Sequence, residues 1–177
     1  MRTITCIGGV PGTGKTTLVR SYIHNTQKDA AWKPVRPTRL LRAMYNDALD
    51  TYVLGVYHDD EVFAGTDKLS MAVQPEVLPW IRSHTSHVIF EGDRLFTSSM
   101  LTSMTTLPDT NVRILVLDAP QECLDERYTQ RGSTQSTTFI RGRRTKIQNI
   151  MDNISLPVKV VDSSGDLSWL VNQLISN

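Results

Sequence analysis

Gly9-Val10-Pro11-Gly12-Thr13-Gly14-Lys15-Thr16, with Thr17 behind it, carries the spacing G-x-x-x-x-G-K-T. Upstream, Thr3 to Ile7 is rich in β-branched residues and reads as a buried parallel strand ending at Gly8-Gly9. Downstream, Leu18, Val19, Tyr22 and Ile23 recur at helical spacing, so a helix opens at the end of the loop and runs to about Thr26. Strand, glycine loop and helix in that order are the setting in which this motif cradles phosphate. Gly9, Gly12 and Gly14 let backbone N–H groups turn inward as an anion nest, and the helix aims its positive end at the phosphates. Lys15 then reaches the β- and γ-phosphates, and the Thr16 hydroxyl is a Mg²⁺ ligand. Gly9 to Thr17 is thus the expected site of a nucleoside triphosphate, ATP or GTP.

Working outward, strands alternate with helices. His87 to Phe90, Val112 to Leu117 and Pro157 to Val161 read as further core strands. Leu40 to Tyr45 and Thr51 to Tyr57 flank the turn Asn46-Asp47 and read as a hairpin. Lys28 to Pro37 reads as a connection, and His58 to Phe63 as polar and exposed. Helices are expected from Pro75 to about Ser83, Phe96 to about Met104, Gln121 to about Gln130, and around Ile140 to Met151, with a closing helix around Leu167 to Leu174. Arg131 to Thr138 reads as a mobile loop. The pattern predicts one three-layer α/β domain over 1–177, with a parallel sheet of about five strands and helices on both faces. A hairpin insert at about 32–83 and an Arg-rich lid at about 127–146 complete it.

Composition adds exclusions. The 177 residues are 40% hydrophobic and 21% charged with a net charge of +1, so no bulk pull toward nucleic acid is evident, although a local basic patch remains open. Cys6 and Cys123 form no C-x-x-C pair and read as reduced, packed thiols. Met1 to Ile7 is too short an apolar run for a signal peptide, and no stretch approaches the about 18 apolar residues of a membrane span. The expectation is a soluble, cytoplasmic protein with no membrane partner.

Among phosphate-loop proteins, a GTPase needs N-K-x-D after a late strand. Here Asp118-Ala119-Pro120 follows Val112 to Leu117, and N-K-x-D is absent. Asp162-Ser163-Ser164-Gly165 fits D-x-x-G but lies too late to sense a γ-phosphate. A motor ATPase carries a second helical domain, for which this length leaves no room. A small kinase needs only the sheet, an acceptor insert and a basic lid. Arg127, Arg131, Arg141, Arg143, Arg144 and Lys146 crowd into one 20-residue segment. Such cations neutralise a transferring phosphoryl group and help exclude water. Arg141 and Arg144, three apart, share a helix face opposite Ile140 and Ile147 and are the expected catalytic pair. The competing reading is a solvated basic helix or a nucleic-acid patch. Glu91 ends a core strand where a Mg²⁺-water ligand belongs, and Asp93 lies two residues on at the sheet edge where ligands bind. Asp93 also suits a helix cap. Asp67 lies in the insert, where a carboxylate accepts a proton from an attacking hydroxyl or simply closes a turn. Arg94 is placed to hold an acceptor phosphate or a carboxylate.

Val88-Ile89-Phe90-Glu91-Gly92-Asp93-Arg94 is similar to the D-G-x-P-R segment of nucleoside monophosphate kinases, with Glu for Asp and no Pro before Arg. A closer resemblance is to the bacteriophage 5-hydroxymethyluracil DNA kinases. It rests on Ile7 to Thr17, Tyr52 to Tyr57, Gly65 to Pro75, Phe90 to Phe96 and Gly142 to Ile147, with Gly65-Thr66-Asp67-Lys68-Leu69-Ser70-Met71-Ala72-Val73-Gln74-Pro75 the distinctive stretch. That resemblance implies transfer of the ATP γ-phosphoryl to the 5-hydroxymethyl oxygen of a uracil in DNA, in the host cytoplasm. Asp67 or Asp93 would serve as base. A base in a duplex must be flipped out, against aromatic walls that Tyr45, Tyr52, Tyr57 and Phe63 are candidates to form. Lys33, Arg36, Arg39 and Arg42 are candidate DNA contacts. By analogy with other lid kinases, Arg127 or Arg131 is expected to stack on adenine. A free nucleoside or nucleoside monophosphate acceptor is the alternative, and a nucleotide-gated binding module is the alternative of another class.

Overall fold

The computed structural model describes residues 1–28, 30–57 and 64–176. His58 to Phe63, read above as an exposed polar stretch and a candidate aromatic wall, lie outside the described residues. The strand before the phosphate loop, β1 (Arg2–Gly8), is buried along almost its whole length. It lies inside a seven-stranded sheet with the order β2-β3-β4-β5-β1-β6-β7. Here β2 is Lys33–Val35, β3 Ala43–Asn46, β4 Thr51–Leu54, β5 His87–Glu91, β6 Thr110–Asp118 and β7 Val158–Asp162. Pairings from β4 through β5, β1 and β6 to β7 are all parallel, and β2–β3 and β3–β4 are antiparallel.

Side-chain alternation divides the core into two layers. Ile4, Cys6, Val88, Phe90, Ile114 and Val116 face one side. They pack against α2 (Gln74–Arg82), α3 (Ser98–Met104) and α5 (Thr137–Asn153), through Trp80, Leu101 and Ile147 among others. Ile7, Ile89, Leu115 and Leu117 face the other side. There they meet α1 (Lys15–Thr26) and α6 (Ser168–Ile175) through Leu18, Val19, Leu170 and Val171. The remaining helix, α4 (Gln121–Arg131), packs Leu124 on Val10 and Ala119 near the phosphate loop. No described helix is long and apolar enough to cross a membrane. Cys6 and Cys123 are free thiols.

The three-layer fold is as expected, with seven strands in place of about five. The hairpin is not an appendage to a separate sheet. Its second strand β4 pairs parallel with β5, with Thr51 opposite His87 and Val53 opposite Ile89, so the hairpin extends the sheet. Its strands are also shorter than predicted: β3 begins only at Ala43, and β4 ends at Leu54, where Gly55 at φ 113° turns the chain away. Lys33–Val35, read as a connection, pairs with β3 as an edge strand, the one sheet position where Pro34 is tolerated. The Thr137 end of α5 begins earlier than its apolar periodicity indicated, because Ser136 caps it by accepting from Phe139 N.

Parallel strands leave their carboxyl ends along one edge, where open α/β sheets bind ligands. β1 ends in the phosphate loop, β5 in Glu91-Gly92-Asp93 and β6 in Asp118. Packing is close behind that edge. A Cβ at Gly8 would enter the ring of Phe96, itself fully buried. Gly8→Ala is therefore expected to destabilise the protein by about 1–3 kcal/mol in urea unfolding. The Gly8→Ala/Phe96→Leu double variant should be more stable than the summed single effects by about 1 kcal/mol, and strict additivity would show that the two residues do not compete for space.

Candidate active site

Gly9, Gly12 and Gly14 take φ values of 148°, 84° and 91°, which L side chains rarely adopt, so the loop turns as the motif requires. The Thr13 hydroxyl donates to Val10 O at 2.8 Å. Lys15 Nζ folds over the loop, donating to Gly9 O at 2.8 Å and Val10 O at 3.2 Å. Burial lowers the Lys15 pKa, while Glu91, Asp93 and Asp67 oppose that shift. Two α4 side chains strap the loop from outside. Arg127 donates to Gly12 O at 2.8 Å, and the Tyr128 hydroxyl donates to Pro11 O at 2.6 Å. The Tyr128 contact was missed in the sequence, where only its position among the lid cations marked it.

Glu91 is 2% exposed. The Thr16 hydroxyl donates to its Oε1 at 3.0 Å, and the Tyr57 hydroxyl donates to the same oxygen at 3.2 Å. The Thr66 hydroxyl donates to its backbone carbonyl at 2.6 Å. Burial raises the carboxyl pKa to about 7, against the pull of Lys15 and Thr16. Among the described residues no cluster of three or more His, Cys, Asp or Glu side chains is placed to hold a metal. A hydroxyl and one carboxylate 3.0 Å apart fit Mg²⁺ all the same, since that ion keeps several waters and takes substrate phosphate oxygens.

Between the loop, the segment 64–74 and α4–α5 lies a cavity of about 760 Å³. Lys15, Thr16, Asp67, Asp93, Arg131 and Arg143 all line it. Asp93 is held by Arg143, whose Nε lies 3.3 Å from Oδ2, and its carbonyl accepts from Lys146 at 3.4 Å. Asp67 carries no ion pair among the described residues, and its Oδ1 accepts from Arg94 N at 3.2 Å. Arg94 NH2 donates to Asp67 O at 3.2 Å, while its Nε is buried with no hydrogen-bond partner among the described residues. A second cavity, of about 810 Å³, flanks the loop on its other side and is lined by Thr17, Arg127, Arg131 and Ser163. Arg127 spans it, bonding Gly12 O and, at 2.6 Å, Ser163 O.

The arginines of α5 are placed differently from the expectation. Arg141 is exposed and lines neither cavity, and Arg144 turns to Asp118 at 3.6 Å and to Gln121 at 3.3 Å. Helical phase explains this. Ile147 and Ile150 are drawn into the core, and Arg143, four residues before Ile147, shares their stripe and is carried to the cleft. The insert aromatics are used in packing: Tyr45 stacks on Tyr52 at 4.3 Å, Tyr52 meets Trp80 edge-on, and neither tyrosine lines the cleft. The apolar side chains that do line it include Met71 and Phe139.

The Glu91 geometry has a pH signature. Its folded pKa, about 7, lies above its ordinary value of 4.5, so the protein without metal is stabilised below pH 4.5 and loses that contribution as pH rises through 7. The loss is about 3 kcal/mol in unfolding experiments with chelator. Glu91→Gln should flatten the profile over this window, and an unchanged slope would assign the dependence to other groups.

The model of the family described as P-loop Nucleotide Kinase3 matches residues 1–164. Curated proteins give no match. Among solved structures, a gluconokinase from Sinorhizobium meliloti 1021 is 14% identical with a TM-score of 0.51, over 99% of this chain and 92% of that one. That likeness is one of fold. A sugar kinase from Janibacter sp. HTCC2649 is 14% identical with a TM-score of 0.47, over 99% of this chain and 94% of that one. The loop geometry and a family match over nearly the whole chain agree: this chain belongs to the P-loop Nucleotide Kinase3 family and is an ATP-dependent P-loop kinase.

Proposed function

We propose that this kinase transfers the γ-phosphoryl group of ATP to the hydroxyl of a 5-hydroxymethyluracil in DNA, with Mg²⁺, in the cytoplasm of a phage-infected host. The observation that carries the reading is Asp67, a cleft carboxylate without an ion pair among the described residues, reaching the same cavity as Lys15. A hydroxyl acceptor gains from a base, whereas a phosphate acceptor needs none. In this reading Asp67 takes the hydroxyl proton as that oxygen bonds to the γ-phosphorus. The bond from phosphorus to the β,γ-bridging oxygen breaks, and ADP leaves.

Other residues divide the remaining work. The loop from Gly9 to Thr17 and Lys15 hold the phosphates. Thr16 and Glu91 would hold Mg²⁺, directly and through water, and the ion would neutralise phosphate charge. Arg131 and Arg143 face the transferring group, in the role first given to Arg141 and Arg144, while Asp93 anchors Arg143. Arg127, with Arg131, lines the nucleoside side. A polymer acceptor is supported by exposed cations on the acceptor side of the cleft. Arg39 reaches Glu76 of α2 at 3.6 Å and Arg42 reaches Lys68 O at 3.3 Å, with Arg36 also exposed nearby in sequence. Such side chains contact nucleic-acid phosphates without reading sequence. Met71, 78% exposed at the cleft, offers an apolar surface to an extruded base.

One observation favours a free nucleotide acceptor instead. The unpartnered Arg94 Nε at the same end of the cleft is suited to an acceptor phosphate. Transfer from γ-labelled ATP separates the two, with 5-hydroxymethyluracil DNA, matched thymine DNA, free nucleoside and nucleotide offered in parallel. Label on the hydroxymethylated DNA alone is the expected result, and label on free nucleoside or nucleotide alone would discard the DNA reading. With the working acceptor, Asp67→Asn should lower kcat by about 10²–10⁴-fold. Arg143→Ala should lower turnover by about 10³-fold with Arg141→Ala near wild type, and the reverse order would return the lid role to Arg141.

A further inference from the structure

We propose that Tyr57 is a positioning residue that holds the Glu91 carboxylate for the metal, joining the acceptor segment to the magnesium side of the site. The inference rests on the reading of Glu91 above as the magnesium-side carboxylate. Three observations carry it. First, the chain on either side of residues 58–63 is pinched together: Val56 and Gly65 form an antiparallel bridge, with N–H to carbonyl distances of 3.1 Å and 2.8 Å. That bridge brings Tyr57 and Thr66 to the same carboxylate-bearing residue, one on its Oε1 at 3.2 Å and the other on its backbone carbonyl at 2.6 Å. Second, the contact leaves no slack. Gly65 lies at φ 80°, and a Cβ there would fall inside contact distance of Glu91 Oε1 and 3.1 Å from the Tyr57 hydroxyl. Third, both hydroxyl donors use one oxygen. Thr16 and Tyr57 each donate to Oε1, which fixes the carboxylate plane and leaves Oε2 with no hydrogen bond among the described residues.

The chemistry of the pair suits this role. A phenol keeps its proton at neutral pH, so the half-buried Tyr57 hydroxyl serves as a donor to the Glu91 carboxylate. The Thr16 oxygen would then have a lone pair free for the ion while its O–H still donates to Glu91. Partners of this kind orient metal ligands, and losing them typically costs about 10–100-fold in metal affinity or activity. The same pinch fixes Asp67, adjacent to Thr66, so metal and acceptor ends share one support.

Tyr57→Phe keeps the ring and removes only the hydroxyl. The test measures binding of a non-hydrolysable fluorescent ATP analogue, first in EDTA and then across a Mg²⁺ titration, with Glu91→Gln alongside. The expected result is unchanged affinity in EDTA, with the Mg²⁺ concentration for half-maximal tightening raised about 10-fold or more. Equal losses with and without Mg²⁺ would show a merely structural tyrosine and overturn the proposal. Normal Mg²⁺ dependence in Tyr57→Phe, with that dependence lost in Glu91→Gln, would overturn it while leaving Glu91 in its role. Normal Mg²⁺ dependence in Glu91→Gln would overturn both.

Discussion

A carboxylate with almost no solvent contact must be held by donors or give up its charge. That constraint at Glu91 organises the cleft. Its two side-chain donors come from different parts of the chain: Thr16 from the phosphate loop, and Tyr57 from the segment after β4. Thr66 adds a third donor on the backbone. Each needs its own backbone device to arrive: the Gly14 turn before α1, the Gly55 turn out of β4, and the Val56–Gly65 bridge. The register of β5 between β4 and β1, with Glu91 opposite Ile7, sets where Glu91 stands at the carboxyl edge of the sheet. Sheet pairing therefore acts on the site directly, through the position of one side chain.

The phosphate loop is gripped from two sides as well. α1 rises from it, and α4 reaches back to it through Arg127 and Tyr128, which bond consecutive loop carbonyls. Those carbonyls point away from the nest, so satisfying them from outside helps keep the N–H groups turned inward. The close approach of the Tyr128 ring to Gly12 leaves no room for a side chain there. Gly12 is thus required twice, for its dihedral angle and for its missing Cβ.

What could be read from the sequence follows from what each signal measures. β1, β5 and β6 carry apolar residues on both faces because helices cover both, and such runs stand out without alternation. The loop is legible because strand, spacing and helix agree. β2 was missed since three residues including Pro34 carry no strand pattern, and only pairing with β3 defines them. The lid arginines show a different limit. Spacing put Arg141 and Arg144 on the face opposite Ile140 and Ile147, but it did not show that the cleft borders the side the isoleucines claim. Ile147 and Ile150 decide that, and they bring Arg143 inward. The hydroxyl contacts of Tyr57, named above only as a candidate wall, and of Tyr128 were hidden because an isolated tyrosine looks the same whether its hydroxyl is wet, bonds a carboxylate or bonds a backbone carbonyl.

Arg143 illustrates how a cation waits in such a cleft. It lies against Asp93 and over the face of Phe139, 4.9 Å from the ring centroid. A guanidinium approaching phosphate from bulk water must shed much of its hydration shell, which opposes the contact. Arg143 has already exchanged part of that shell for a carboxylate and an aromatic face, and guanidinium tolerates this better than ammonium. In the role proposed for it, meeting a phosphoryl group would be a swap of one anionic partner for another, with little new desolvation on the arginine's side. The stack on Phe139 can persist through the swap, so the side chain pivots about a fixed support instead of searching from solvent.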